Sequence, residues 1–327
     1  MSKRAILVTG GAGFVGSHAC KELSRHGYLP VTLDDLSVGH ADAVRWGPLV
    51  RANIRDTEAV AAVLASHNIS SVLHFAASAY VDVSMREPLA YYHNNVGGMI
   101  SVLLACRRAG VENFVFSSSC AVYGVPDQAP ITEGAPRRPV NPYGRTKLYC
   151  EEMLRDMDAA HGLRYAALRY FNAAGADPEG ELRERHDPET HVIPLALMAA
   201  AGRRPEFFVN GTDYDTPDGT CLRDFVHVHD LARAHVAALA RLESGALSFA
   251  VNLGSGTGHS VNEVITAVEK LSGRKLPVRR GPRRPGDPPA LVADPAAARS
   301  LLGWRADRSA LGTIVRDAAP GFGVCPK

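Results

Sequence analysis

The chain has 327 residues, 46% of them apolar and 21% charged, with a formal net charge of +2. That length suits one large domain with a smaller one beside it, in an ordinary soluble globular composition. The near-neutral balance excludes a nucleic-acid or membrane-surface partner on electrostatic grounds, and no apolar run reaches the ~20 residues of a membrane helix.

The pattern opens with the apolar run Ala5-Ile6-Leu7-Val8, which ends at Thr9. Gly10-Gly11-Ala12-Gly13-Phe14-Val15-Gly16 follows, and then a helical pattern from Ser17 to His26. A buried strand feeding a glycine turn and a helix is a dinucleotide-binding unit. Its glycines let the backbone approach a pyrophosphate, and the helix start favours negative charge. The next run, Tyr28 to Leu33, ends in Asp34-Asp35. A carboxylate there accepts hydrogen bonds from an adenosine ribose, which favours NAD over NADP.

Further along, the pattern predicts a helix over 59–66, a strand over 71–75 ending at Ala76-Ala77, a long helix over 91–108 and a strand over 113–117 that runs into Ser117-Ser118-Ser119. Strands alternating with helices imply a mostly parallel sheet covered on both faces. Its ligands sit beyond the carboxyl ends of the strands, where the glycine turn, Asp34-Asp35, Ala76-Ala77 and the serines all fall. A helix over 143–160 opens at Asn141-Pro142, and a strand follows over 165–169. Residues 172–194 read as loop, 195–202 as a short helix and 211–223 as loop again. His229-Asp230 is expected to cap an Ala-rich helix, 250–254 is a strand, and Ser260 with Glu263 forms a capping box.

The cysteines (Cys20, Cys106, Cys120, Cys150, Cys221 and Cys325) form no CxxC pair, and the histidines show no ligand spacing. No metal is therefore expected, and scattered thiols suggest a cytoplasmic protein. Tyr143 and Lys147, four apart at a helix start, share one helical face. A phenol titrates near 10, but a nearby ammonium and a nicotinamide cation favour the phenolate. Tyr143 then exchanges a proton with a substrate hydroxyl while hydride moves to the cofactor, and Ser119 holds the same oxygen.

These blocks resemble the extended short-chain dehydrogenase/reductases, and among them the UDP-glucose (UDP-galactose) 4-epimerases. The resemblance runs from the glycine turn to Gly303-Trp304. It is carried by Val72 to Ala77, Tyr91 to Val96, Phe116 to Ser119 with Val122-Tyr123-Gly124, Asn141 to Gly144, Leu168 to Asn172, Asp218-Gly219-Thr220 with Arg223-Asp224, and Arg283 to Asp287. It implies a Rossmann-type doubly wound α/β sheet with a smaller, loop-rich α/β substrate-binding domain. Residues 1–171 would bind NAD, with 225–254 returning to that domain, and 172–224 with 255–327 would bind the UDP-sugar.

The same resemblance implies hydride removal and return at C4 of the sugar, with Ser119, Tyr143 and Lys147 as catalytic residues. Lys147 would also touch the nicotinamide ribose. Gly10, Gly13, Phe14, Val15, Gly16, Asp34, Asp35, Asn53, Ile54, Phe75, Ala76, Ala77, Asn94 and Phe171 would line the NAD site. Asn172, Val192, Arg223, Arg284 and Asp287 would contact the UDP-sugar, the arginines because guanidinium grips phosphate in a fork. Leu291 stands at the position that gates the sugar pocket. A homodimer through 91–108 and 143–160 is the family habit.

The chain departs from the family pattern in four places. Asn53 stands for an aspartate, Asp82-Val83 for Gly-Glu, Ala121 for a Ser or Thr, and Asn210 for the aromatic on uracil, with Phe207 or Phe208 as its replacement after a small register shift. Other UDP-sugars (N-acetylhexosamines, pentoses, uronates) are alternative substrates. A nucleotide-sugar dehydratase would need an acid/base pair after the serines, where Cys120-Ala121 stands. A non-catalytic NAD-binding regulator is at odds with the intact Ser119, Tyr143 and Lys147.

Overall fold

The computed structural model describes residues 3–284 and 287–325. Pro285 and Gly286, in the middle of the Arg283-to-Asp287 block, lie outside the described residues.

The strands in chain order are β1 Ala5–Thr9, β2 Leu29–Asp34, β3 Leu49–Arg51, β4 Ser71–His74, β5 Asn113–Ser119, β6 Arg164–Tyr170, β7 Asn172–Ala174, β8 Phe207–Asn210, β9 Leu222–His227, β10 Phe249–Leu253, β11 Gly258–Ser260, β12 Val278–Gly281 and β13 Ala290–Leu291. Seven of them form the central sheet, ordered β10-β6-β5-β4-β1-β2-β3. Every pairing in that sheet is parallel. The strand order reverses at β1, beside β4, which is the crevice where such sheets bind nucleotides.

The central strands are buried on both faces, so they read as continuous apolar runs rather than alternating ones. One face packs Leu7, Leu33, Val72 and Phe114 against Val60, Val63 and Leu64 of helix Thr57–Ser66, Met99 and Val102 of helix Gly97–Ala109, and Leu154 of helix Pro142–His161. The other packs Ile6, Val8, Leu73 and Val115 against Ala19 and Leu23 of helix Phe14–Arg25 and Leu231 and Leu239 of helix Val228–Glu243. A separate apolar cluster under helices Val192–Ala200, Val261–Ser272 and Leu311–Ala318 supports the smaller sheets.

In the smaller lobe β9 pairs with β7, β11 and β13, while β12 pairs with β8. Thus β9 stays in this lobe, and the chain rejoins the central layer through helix Val228–Glu243 and β10. Asp224 of β9 is fully buried. Its Oδ1 accepts from Ser255 N at 2.8 Å and Ser255 Oγ at 2.7 Å, and its Oδ2 accepts from Gly256 N at 3.0 Å and Ala293 N at 3.2 Å.

Local expectations change at several points, among them the loop over 172–194, which holds β7 at its start and gives way to helix at Val192. The long helix over 91–108 is broken: Pro88–Tyr91 is one helical turn, Tyr92–Val96 is a π-turn, and α-helix resumes at Gly97–Ala109. Paired glycines at 97–98 weaken the α-helical preference there. The Ala-rich helix is capped by His227, whose ring nitrogen accepts from His229 N at 3.1 Å, and Asp230 lies inside the first turn. The loop over 211–223 ends two residues early, because Leu222 and Arg223 already belong to β9. The capping box of Ser260 and Glu263 is present in both directions.

A buried ion pair ties β6 to the helix that carries Tyr143. Arg169 Nη2 and Nε donate to Glu151 at 2.6 and 2.9 Å, with both side chains about 95% buried or more. Glu151→Ala leaves that guanidinium without its counter-charge. We expect a loss of about 3–5 kcal/mol in unfolding free energy, read from urea denaturation.

Candidate functional site

The site begins at the tip of β1. Gly10 has φ +72°, and a Cβ there would lie 2.5 Å from Ala76 N. Thr9 O accepts from Phe75 N at 2.9 Å and Ala76 N at 3.1 Å, which presses the turn against the end of β4. A Cβ on Gly16 would lie 2.2 Å from Gly10 O. Only glycine permits this fold of the turn. Helix Phe14–Arg25 then starts at Gly13 with no side-chain cap, so its first N–H groups remain free to meet an anion.

At the tip of β2, Asp34 Oδ2 accepts from Ala12 N at 3.0 Å and Oδ1 from Leu36 N at 2.9 Å. Burial raises its carboxyl above the ordinary value, and those N–H groups pull the other way. Asp35 accepts from Ser37 N at 2.9 Å and from Asn53 Nδ2 at 2.8 Å. That contact explains Asn53: an aspartate would place a second carboxylate against Asp35, whereas the amide donates to it. Ile54 is buried and fills the space that a Cβ on Gly98 would take. The π-turn aims Asn94 at Ser78, to whose Oγ its amide donates at 3.1 Å, and Asn95 Nδ2 donates to Thr146 Oγ1 at 3.0 Å.

Beyond β5, Pro142 opens the helix that carries Tyr143 and Lys147, and Asn141 caps it by accepting from Gly144 N at 2.8 Å. Lys147 is 3% exposed and donates from Nζ to Ser117 O at 2.6 Å. Its ammonium lies 5.9 Å from the centre of the Tyr143 ring and 4.9 Å from that of Phe116. Burial lowers Lys147 to about 8. Burial also raises the Tyr143 phenol well above its usual value, with Tyr170 adding to the rise and Ser119 opposing it. Ser119 is buried, and its Oγ accepts from Ala121 N at 3.2 Å. Ala121 therefore serves this site through its backbone.

Across the rim, Asn172 Nδ2 donates to Asp224 O at 2.9 Å. Arg223 pairs with Asp287 and also donates to Leu222 O. Leu291 lies beside Arg223 in the β9–β13 ladder and packs on the cluster of Cys120, Tyr123 and Phe171. Val192 opens helix Val192–Ala200. With its amide oxygen turned toward Arg284, Asn210 accepts from Nε and Nη2, each at 3.1 Å. So Asn210 orients a guanidinium where the family places an aromatic. Phe207 is buried in the core of the smaller lobe, which leaves Phe208, 41% exposed, as the available ring. Asp82 faces solvent and pairs with Arg86 at 3.3 Å, so this departure stays outside the site.

The family model for the NAD dependent epimerase/dehydratase family matches residues 6–254, through β10 of the central sheet. The chain belongs to that family. It is 52% identical to the UDP-glucose 4-epimerase of Rhizobium meliloti over 93% of each chain. The crystal structure of UDP-glucose 4-epimerase from Brucella ovis in complex with NAD superposes with a TM-score of 0.97 at 54% identity, covering 99% of this chain and 100% of that one. The epimerase of Stenotrophomonas maltophila, with bound NAD and formylated UDP-arabinopyranose, superposes at 0.95 with 42% identity and 98% coverage of both. In this family member the tight turn, the uncapped helix and the carboxylate of Asp34 fit a dinucleotide.

Sequence reasoning passed over one group. Glu184, His186, Glu189 and His191 meet in space, although no CxxC or paired-His spacing announced them. The signal was the run Glu-x-His-x-x-Glu-x-His.

Folding takes Lys147 from 10.5 to about 8, so between those values the unfolded chain holds the extra proton. Stability of the cofactor-free protein should therefore rise with pH across that window, by up to about 1.4 kcal/mol per pH unit. Denaturation of wild type and Lys147→Met at several pH values checks this, the rise being absent in the variant.

Proposed function

We propose that the chain is a UDP-glucose 4-epimerase that interconverts UDP-glucose and UDP-galactose with NAD held in place. The observation that carries this reading is Tyr143 and a buried Lys147 on one helical face beside Ser119, at the same rim as the glycine turn. Bound NAD would supply a hydride acceptor, and then donor, for C4 of the sugar.

The chain's own groups supply the rest. Tyr143 takes the C4 hydroxyl proton as the sugar becomes a 4-keto species, and returns it after the sugar has turned. Proton and hydride leave together and come back together, so no net oxidation occurs. Ser119 fixes the hydroxyl oxygen. In the free chain burial keeps Tyr143 protonated, and positive charge brought beside it favours the phenolate. Lys147 contributes part of that charge and reaches the ribose side from its hold on Ser117 O. Arg223 and Arg284 fork onto the diphosphate, with Asn172, Val192 and Asp287 completing the UDP-sugar contacts. Gly10, Gly13, Phe14, Val15 and Gly16 bind the cofactor's diphosphate, Asp34 its ribose, and Asp35, Asn53, Ile54, Phe75, Ala76, Ala77, Asn94 and Phe171 line the remainder.

We assign residues 1–171 with 228–254 to the NAD-binding domain and 172–227 with 255–327 to the UDP-sugar domain, the boundary moving from 225 to 228 because β9 pairs within the smaller lobe. A homodimer is supported by Ile100, Leu104 and Tyr149, exposed on helices Gly97–Ala109 and Pro142–His161. A cytoplasmic site is supported by the free thiols, of which Cys20, Cys106, Cys120, Cys150 and Cys221 are buried. Among the described residues, no helix is long and apolar enough to cross a membrane.

Purified protein given UDP-glucose should form UDP-galactose without added reductant. Tyr143→Phe should lower kcat about a hundred- to ten-thousand-fold while retaining fold and bound NAD; full turnover in that variant overturns the assignment. Leu291 is intermediate in bulk between a tyrosine gate and a small residue, so UDP-GlcNAc should also turn over. Product analysis with wild type and Leu291→Cys decides: absence of N-acetyl turnover in both removes this reading of the gate.

A further inference from the structure

The segment from Glu184 to His191 leads directly into Val192 and helix Val192–Ala200. It folds so that Glu184, His186, Glu189 and His191 each turn a ligand-type atom inward, all within 4.8 Å of one another. His186 Nδ1 lies 2.9 Å from Glu184 Oε1. His191 Nδ1 lies 3.1 Å from that same oxygen and 2.8 Å from Glu189 Oε1. The two imidazole rings stand 4.8 Å apart.

The carboxylates are the telling part. The side chain of Glu184 is 2% exposed and that of Glu189 is 5% exposed. Each buries its second oxygen, Oε2, with no hydrogen-bond partner. That oxygen of Glu189 also points at the cluster, 4.0 Å from His186 Nδ1. Burying such an atom without a partner is costly, and more so when it is charged. Two stranded at one spot imply a group that the protein atoms do not supply.

We propose that these four side chains bind one divalent transition-metal ion, with zinc the best fit. Two imidazoles and two carboxylates make a four-donor N₂O₂ set, and zinc accepts both ligand types in tetrahedral geometry. Calcium and magnesium call for six or more oxygens, which this set does not offer. Tetrahedral ligand atoms about 2.0–2.1 Å from zinc stand roughly 3.3 Å apart. The closer pairs here, at 2.8 to 3.1 Å, lie just inside that spacing, and the widest closes by at most about 1.5 Å. Two carboxylates with neutral imidazoles carry a charge of −2, which the ion cancels. It takes the place of the Nδ1 protons, so binding releases protons.

The ion's role is structural. The His186 ring meets Phe14 edge-on at 5.9 Å and Tyr80 at 6.0 Å. A metal at His186 therefore pins the 184–191 segment over the first turn of helix Phe14–Arg25 and sets where Val192 begins its helix. No step assigned to Tyr143 passes through it.

The test is metal content of the untagged full chain, produced with zinc in the medium and dialysed without chelator. Mass spectrometry should find about one zinc per chain. The His186→Ala/His191→Ala double variant and Glu184→Gln should lose it. Added to chelator-treated wild type, Co²⁺ should show the visible absorption of tetrahedral cobalt, and Zn²⁺ should raise Tm; neither should happen in the double variant. Near-zero metal in wild type with no cobalt band overturns the proposal, and so does equal metal in wild type and a folded double variant. Should the double variant fail to fold, the wild-type content and cobalt titration decide alone.

Discussion

The smaller lobe depends on where the Asp224 carboxylate sits. It lies on β9 with no exposed surface, and its partners come from two other parts of the chain: the turn after β10, and the segment just past β13. A buried carboxylate without donors would be costly, so each donor is fixed by the need to satisfy it. A Cβ on Gly254 would lie 2.5 Å from this carboxylate, which is why the turn carries glycine there. The neighbours of Asp224 inherit the result. Arg223 precedes it, Leu291 pairs beside Arg223, and Asn172 holds the Asp224 carbonyl. A single satisfied anion thus sets the substrate-side residues against the central sheet.

On the other side of the cleft the physics runs by desolvation. Lys147 gives its hydrogen bond to a backbone carbonyl rather than to a carboxylate, so no direct ion pair offsets its burial and the nearby Glu151 charge offsets it only in part. Tyr143 suffers the same environment with the opposite sign. Burial therefore brings both groups toward their neutral forms while the cleft holds only protein. A site balanced in this way responds strongly to any charge that enters it.

Much of this was legible in the sequence. The apolar runs, the glycine turn and the polar strand ends gave the parallel sheet and the rim. Tyr143 and Lys147 fell on one face because helical spacing is local information. The π-turn at Tyr92–Val96 was not legible, since it depends on Asn94 and Asn95 bonding to Ser78 and Thr146 far along the chain. Nor was the role of Asn53 or Asn210. Each reads as a lost feature until its partner, Asp35 or Arg284, is seen across the gap. Phe207 looked available because nothing in the string separates the buried side of β8 from its open side, where Phe208 lies.

The π-turn also has a consequence for how this helix tolerates change. An α-helix advances 100° per residue, and the π-turn absorbs one residue beyond the α-helical count. Because the wider turn takes up the extra residue, the stretches before and after it keep the phase of one continuous α-helix. The extra residue instead bulges the backbone locally, and the bulge presents Asn94 and Asn95 to Ser78 and Thr146. Removing one residue from Tyr92–Val96 would restore regular helix and leave Ile100 and Leu104 on the surface they now occupy, while at least one of the two asparagines would lose its partner. The bulge is therefore a local device that can be lost without turning the helix that follows.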